Sequence, residues 1–195
     1  ITPNRGTAKN RQIFAGTYVM RRDLFIDMIK KAHNTSAMYS LMDWVNLMCN
    51  EMDIRGVAHR GYFGSITDFK SYYDTSMSLI DLKTARSLFD PDWPIYTRTS
   101  DSCPTQYLEG ADVKASVISN GCRIEGTIDH SILSRGCIIK KGAVVKNCVI
   151  LPDVVIGEDT VLENVVVDKH VRINHIKEVK GTPEHPGYVK RGDHL

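Results

Sequence analysis

From Ile118 onward, aliphatic residues return at every sixth position. Ile132, Ile138, Val144, Ile150, Ile156 and Leu162 hold that step without a break, and Ile118 and Ile124 hold it earlier. Four places after the unbroken six come Gly136, Gly142, Cys148, Val154, Thr160 and Val166, most of them small. The frame slips by two residues between Ile124 and Ile132, and by one between Leu162 and Val167, after which Ile173 resumes it. A period of six is neither the 3.6 of a helix nor the 2 of a twisted strand. It predicts a parallel β-helix of hexapeptides, each hexad forming one side of a triangular coil. The aliphatic residue should point inward, the small residue should sit near the corner, and backbone bonds should join coils about 4.8 Å apart. The predicted core is therefore Ile118, Ile124, Ile132, Ile138, Val144, Ile150, Ile156 and Leu162. Each buried aliphatic side chain contributes about 1.5–3 kcal/mol.

The first hundred residues follow other periods. The run Ile13–Met20 is apolar and rich in strand formers, which predicts a buried strand. Leu24, Phe25, Met28 and Ile29 then share one helical face. The segment from Tyr39 to Met52 repeats that pattern through Leu41, Trp44, Val45, Leu47 and Met48, with Ser40 and Asp43 placed to cap it. Asp53–Arg60 reads as a second strand, and Gly61–Ile66 as a glycine-punctuated loop. Thr67–Asp81 predicts a further helix, capped by Thr67 or Asp68, with Phe69, Tyr72, Tyr73, Met77, Leu79 and Ile80 as core candidates. Asp90-Pro91-Asp92-Trp93-Pro94 stops any helix, and Trp93 is expected to anchor that junction. The expected division is an α/β portion over 1–90, a linker over 91–112, the coil over 113–176 and a polar tail over 177–195. Two strands are too few for a complete α/β sheet, so residues 1–90 read as the tail of a larger α/β domain.

Composition narrows the function classes. Lys plus Arg is 25 and Asp plus Glu is 23, a formal net charge of +2, which gives no broad field for nucleic acid or an anionic membrane. No apolar run approaches the length of a spanning helix. The opening residues Ile1-Thr2-Pro3-Asn4-Arg5 are polar and lack Met, as expected of a processed chain or a piece of a longer one. Cys49, Cys103, Cys122, Cys137 and Cys148 are odd in number and widely spaced, which predicts buried thiols in a reducing cytoplasm. His130, His170 and His175 do not converge as three ligands would, and turn positions account for them better than a histidine-based coil enzyme does.

Specific words then carry a resemblance. Ala15-Gly16-Thr17-Tyr18-Val19-Met20, Gly61-Tyr62-Phe63 with Ser71-Tyr72-Tyr73, Asp92-Trp93-Pro94-Ile95 and Ser134-Arg135-Gly136 resemble the bacterial glucose-1-phosphate adenylyltransferase family. The resemblance implies the tail of a nucleotidyltransferase α/β domain followed by a left-handed parallel β-helix. That family joins ATP and glucose 1-phosphate to give ADP-glucose and pyrophosphate for glycogen synthesis, with Mg²⁺ held by carboxylates. Its β-helix packs on the catalytic domain, builds an oligomer and carries regulation.

Against the family pattern, Ser65 stands at the position of a metal-binding aspartate and Gly64 at that of an arginine. A neutral hydroxyl cannot neutralise charge on phosphoryl oxygens, nor suit Mg²⁺ as a carboxylate does. Phe14 replaces a sugar-contacting serine, so Phe14, Gly16 and Tyr18 are the remnant of a sugar pocket. Gln106 replaces a lysine beside Tyr107 in a link motif near the effector region. No glycine-rich phosphate loop occurs in the chain. The resemblance therefore implies a regulatory, non-catalytic subunit, inactive alone. It needs no cofactor itself and partners a catalytic subunit in a cytoplasmic hetero- or homo-oligomer. Two alternatives stand beside it: the C-terminal part of an active sugar-1-phosphate nucleotidyltransferase, and a hexapeptide-repeat acyltransferase.

Overall fold

A computed structural model describes residues 14–34, 40–193 and 195, and the chain divides into two compact units, residues 1–60 and 61–195. In the first unit, α1 (Arg22–His33) carries Asp23 in its first turn and Lys30, Lys31 and His33 in its last, the charge order that complements a helix dipole. The second helix, α2 (Leu41–Met48), starts where the Ser40 hydroxyl accepts the Asp43 backbone N–H at 3.2 Å. Met28 and Trp44 are buried. Residues 14–20 and 53–60 are not strands, contrary to expectation, and no strand precedes Gln106 among the described residues. Strand-forming composition produces a strand only where a neighbouring edge accepts the ladder bonds, and the described residues of this unit supply none. Val19 is accordingly 97% exposed. Ile13 and Tyr39 lie outside the described residues.

The second unit opens with α3 (Phe69–Ser78), the helix expected over 67–81. Asp68 accepts the Ser71 N–H at 2.7 Å while the Ser71 hydroxyl accepts the Asp68 N–H at 3.0 Å, a complete capping box. A further helix, α4 (Leu82–Leu88), is separate because Asp81 caps it anew through the Thr84 N–H. Trp93 is 82% exposed and anchors nothing in this unit; its proline-flanked segment is a turn in which the Trp93 N–H donates to the Asp90 carbonyl at 3.1 Å.

Five coils follow. The first holds β1 (Gln106–Tyr107), β2 (Asp112–Lys114) and β3 (Val117–Ile118); the second β4 (Arg123–Ile124), β5 (Thr127–Asp129) and β6 (Ile132–Leu133). The third holds β7 (Ile138–Ile139), β8 (Val144–Lys146) and β9 (Val149–Ile150). The fourth holds β10 (Val155–Ile156), β11 (Val161–Glu163) and β12 (Val165–Val167); the fifth β13 (Arg172–Ile173), β14 (Glu178–Lys180) and β15 (Gly187–Val189). They stack as three parallel five-stranded sheets: face one is β1-β4-β7-β10-β13, face two β2-β5-β8-β11-β14 and face three β3-β6-β9-β12-β15. The ladder thus begins inside the segment expected as a linker and runs on through β14 and β15 of the expected tail.

The interior is a set of aliphatic columns fixed by strand register. On face one, Tyr107, Ile124, Ile139, Ile156 and Ile173 stack in line. Leu133, Ile150 and Val167 continue from Ile118 on face three, and Ile128, Val145 and Leu162 lie between Val113 and Val179 on face two. Tyr107 occupies the open first coil and stays exposed. The other end is closed by Leu195, which packs on the core and whose N–H donates to the Arg172 carbonyl at 3.0 Å.

This register corrects part of the expected core. Ile124, Ile150, Ile156 and Leu162 are buried and Ile118 packs on the core, but Ile132, Ile138 and Val144 are only half-buried and face outward. Their successors Leu133, Ile139 and Val145 point inward instead. The coil steps six, six and five residues, so Ile139 meets Ile156 seventeen residues on. Each of the three is the first of two adjacent aliphatics, and an unbroken step of six lands on the wrong member. The apparent one-residue slip before Val167 is simply the regular five-residue side. The two-residue slip is real: Ile124 and Ile128 are only four apart, joined by a shortened corner at Glu125-Gly126. A β-carbon on Gly126 would overlap the Ala143 carbonyl oxygen and lie 3.0 Å from that of Lys140, so only glycine fits there.

Candidate functional site

The outer surface of the coil is where its sequence departs from what a core requires. On face three the outward column reads Val117, Ile132, Val149, Val166 and Tyr188. Val149 and Val166 are buried, because α3 lies over them. Tyr73 fills the contact, flanked by Tyr72 and Met77, and its hydroxyl donates to the Asn147 carbonyl at 2.7 Å. Burial raises the Tyr73 phenol to about 12. At the N-terminal end of α3, Phe69 meets Tyr188 edge-on with ring centres 5.5 Å apart, and the Tyr188 hydroxyl donates to Asp168 at 2.9 Å. This contact fastens α3 to the third, fourth and fifth coils. Tyr73 was legible as a core residue, but its hydroxyl partner was not. The available signals were the consecutive buried pairs Val149-Ile150 and Val165-Val166-Val167, since a strand apolar on both sides must be covered on both.

The corners explain several polar residues. Ala115, His130, Asn147 and Asn164 form one column with positive φ; Gly121, Gly136, Asp153 and His170 form a second; Gly142 and Asp159 share the third corner. Left-handed backbone favours Gly, Asn and Asp and tolerates His. His130 contacts the Asn147 side-chain oxygen through Nδ1 at 3.0 Å, and His170 faces Asp153 at 3.5 Å. The two histidines therefore stand on different corner columns, each with a backbone reason for its place. Among the described residues no group of three His, Cys, Asp or Glu side chains converges as a metal site.

The residues singled out by resemblance do not form one cluster. Phe14, Gly16 and Tyr18 lie in the first unit, in the irregular segment before α1. The Phe14 and Tyr18 rings meet at a 52° tilt with centres 4.7 Å apart, and Gly16 has φ +77 with open space around it. Ser65 is exposed in the loop before α3, and a β-carbon on Gly64 would press on Thr75 at 2.7 Å. Gln106 and Tyr107 form β1, where the Gln106 N–H donates to Cys122 at 2.9 Å, so both serve the ladder's first strand.

All five cysteines are free; four are buried and Cys103 is exposed. Cys122 and Cys137 sit in register on successive coils, and the neighbouring thiol together with burial pushes Cys137 upward. Burial pushes the Cys148 thiol up to about 12, leaving it an inert small core residue.

Comparison with known proteins places the coil in a wider group. Residues 104–185 match the family described as GlmU-like, C-terminal hexapeptide. The chain is 38% identical over 175 residues to the glycogen biosynthesis protein GlgD of Bacillus subtilis, covering 90% of this chain and 51% of that protein. The GlgD protein of Geobacillus stearothermophilus matches with the same identity and coverage. The glucose-1-phosphate adenylyltransferase of Streptomyces coelicolor is 37% identical over 86 residues, 44% of this chain and 22% of that enzyme. The chain spans about half the length of the GlgD proteins it matches.

Proposed function

We propose that this chain, a homologue of the GlgD glycogen biosynthesis proteins and of the C-terminal regions of glucose-1-phosphate adenylyltransferases, belongs to a regulatory, non-catalytic subunit of ADP-glucose formation. The observation that carries the reading is the breadth of the GlgD match, 38% identity across 90% of the chain, against glucose-1-phosphate adenylyltransferase matches that cover 44% to 55% of it. Ser65 supports it. At a position where the family needs a carboxylate for Mg²⁺, this chain offers an exposed neutral hydroxyl. ATP and Mg²⁺ are then handled by a catalytic partner, and the role of this chain is assembly and coupling. The α3 contact supports the coupling role, because it ties the helix that follows the Ser65 loop to the coil. The place of action is the cytoplasm, in keeping with the absence of any membrane-length apolar helix among the described residues.

The test is to purify the intact protein with and without a catalytic homologue and to measure pyrophosphate release from ATP and glucose 1-phosphate. The expected result is no turnover by the intact protein alone, and a changed rate or effector response of the homologue when the two are mixed. Turnover by the intact protein alone at the rate of the mixture would overturn the reading.

A further inference from the structure

Two thiols meet at one corner of the coil. Cys122 and Cys137 directly precede β4 and β7, whose register pairs Arg123 with Ile138, so the two cysteines are neighbours on the second and third coils. The Arg123 N–H donates to the Cys137 carbonyl at 2.9 Å, which fixes that pairing. Adjoining strands lie about 4.8 Å apart, within the roughly 4.4–6.8 Å between α-carbons that a disulfide spans. Cys122 Sγ lies 3.2 Å from the Ser134 carbonyl, so it leans towards the turn that leads into Cys137. The column continues as Val154 and Val171, both buried, so packing at this position does not require sulfur. Cys148 is the contrast: its neighbour in register is Ser131, whose hydroxyl oxygen accepts the Cys148 N–H at 3.0 Å, and not a second thiol.

We propose that Cys122 and Cys137 form a redox modification site, at which a hydroperoxide converts the two thiols into a disulfide that staples the second coil to the third. Cys122 is the nucleophile. The Cys137 S–H, donating to it, holds Cys122 below an ordinary thiol, while the same contact and burial push Cys137 up. The Cys122 thiolate attacks one peroxide oxygen and the O–O bond breaks. The leaving hydroxide takes a proton and departs as water, and Cys122 becomes a sulfenic acid. The Cys137 sulfur, losing its proton, then displaces the sulfenic oxygen as a second water and closes the S–S bond. Two electrons have passed from the sulfurs to the peroxide. Both thiols are buried, so the oxidant enters as the end of the coil opens. Over Cys122 lies the first coil, whose Thr105 hydroxyl oxygen accepts the Cys122 N–H at 3.3 Å and whose Tyr107 is exposed. The incoming chain crosses the same corner, where Asn120 Nδ2 donates to the Ser102 carbonyl at 3.5 Å and Arg135 to the Arg98 carbonyl at 2.9 Å. The bond therefore locks the corner on which residues 98–102 rest. The proposal stands independently of the glycogen-related reading.

The test treats the intact protein with hydrogen peroxide, alkylates the remaining thiols in denaturant and maps the tryptic peptides by mass spectrometry. Cleavage after Arg123, Arg135 and Lys146 puts Cys122, Cys137 and Cys148 on separate peptides. The expected product joins the Cys122 and Cys137 peptides, two hydrogens lighter than their sum and separable by dithiothreitol, with Cys148 fully alkylated. In Cys137→Ser, Cys122 should stop at the sulfenic acid, which dimedone captures. In Cys122→Ser, Cys137 should react with peroxide about tenfold or more slowly than Cys122 does in Cys137→Ser. Circular dichroism of each sample reports whether the coil is folded. Cys122 and Cys137 that stay alkylatable where the exposed Cys103 is already oxidised would sink the proposal. So would a bond from Cys103 to either of them, oxidation of Cys148 at the same rate, or a link found only in unfolded protein.

Discussion

The Tyr73 hydroxyl donates to the Asn147 carbonyl at 2.7 Å across 74 residues of sequence. Asn147 is a left-handed corner, so the helix is fastened to a backbone position the coil cannot easily move. Removing the hydroxyl in Tyr73→Phe should cost about 0.5–1.5 kcal/mol, and Tyr73→Ala about 3–5 kcal/mol through the cavity as well. Denaturant melts of the intact protein would measure both.

Alkaline pH offers a second reading of the same contact. The folded-state phenol is raised to about 12 by burial, above its unfolded value near 10. The native state therefore holds its proton longer, and the contribution is present below pH about 10 and lost as pH rises towards 12. Tyr73→Phe should flatten the fall in stability across that window; an unchanged slope would contradict the assignment.

Paired substitutions would test the coil's register. Leu133→Ala and Ile139→Ala remove inward side chains and should each cost about 2–5 kcal/mol. Their neighbours Ile132→Ala and Ile138→Ala remove outward ones and should cost no more than about 1 kcal/mol. Equal costs within a pair would restore the strict six-residue ladder.

Those pairs also show how far the sequence could be read. Sixfold recurrence identified the coil, because only a stacked triangular solenoid buries one aliphatic per hexad. It could not place the core to the residue wherever two aliphatics adjoin, since both members satisfy the period. Ile13–Met20 and Asp53–Arg60 were readable as strand formers only, because pairing depends on a neighbouring edge that composition does not reveal. Ser40 and Asp68 were legible as caps, since a cap is a local bond. The cap at Asp81, followed by Thr84, was equally local and marks α4. Ser65 and Gln106 stood out only against a family pattern, and nothing in their own surroundings singles them out.

Two glycines should be intolerant for different reasons. Gly142 has φ +73, and a β-carbon there would also collide with the Asp159 carboxylate of the next coil. Gly126 has ordinary φ but no room at the shortened corner. Alanine at either should cost about 1–3 kcal/mol. Asp159→Ala in the Gly142→Ala background should recover part of the loss, whereas no side-chain deletion should rescue Gly126→Ala, whose closest obstruction is backbone.

Acid should loosen α3 at its start. The Ser71 N–H, donating to Asp68, holds that carboxyl below its ordinary value. Its contribution is present above pH about 4, near the unfolded value, and is lost as pH falls through the depressed folded value. Asp68→Asn, which keeps a capping oxygen without the charge, should remove that acid dependence while α3 stays formed by circular dichroism.

The two ends of the solenoid are sealed unequally. Leu195 closes the fifth coil, while Tyr107 leaves the first open to water. In a linear stack each layer is held mainly by its neighbours, so breathing starts at the weaker terminus. Amide protons should consequently trade with deuterium first around Gln106–Leu108 and last in the layers beneath α3, a gradient of lifetimes running along the axis rather than one cooperative value.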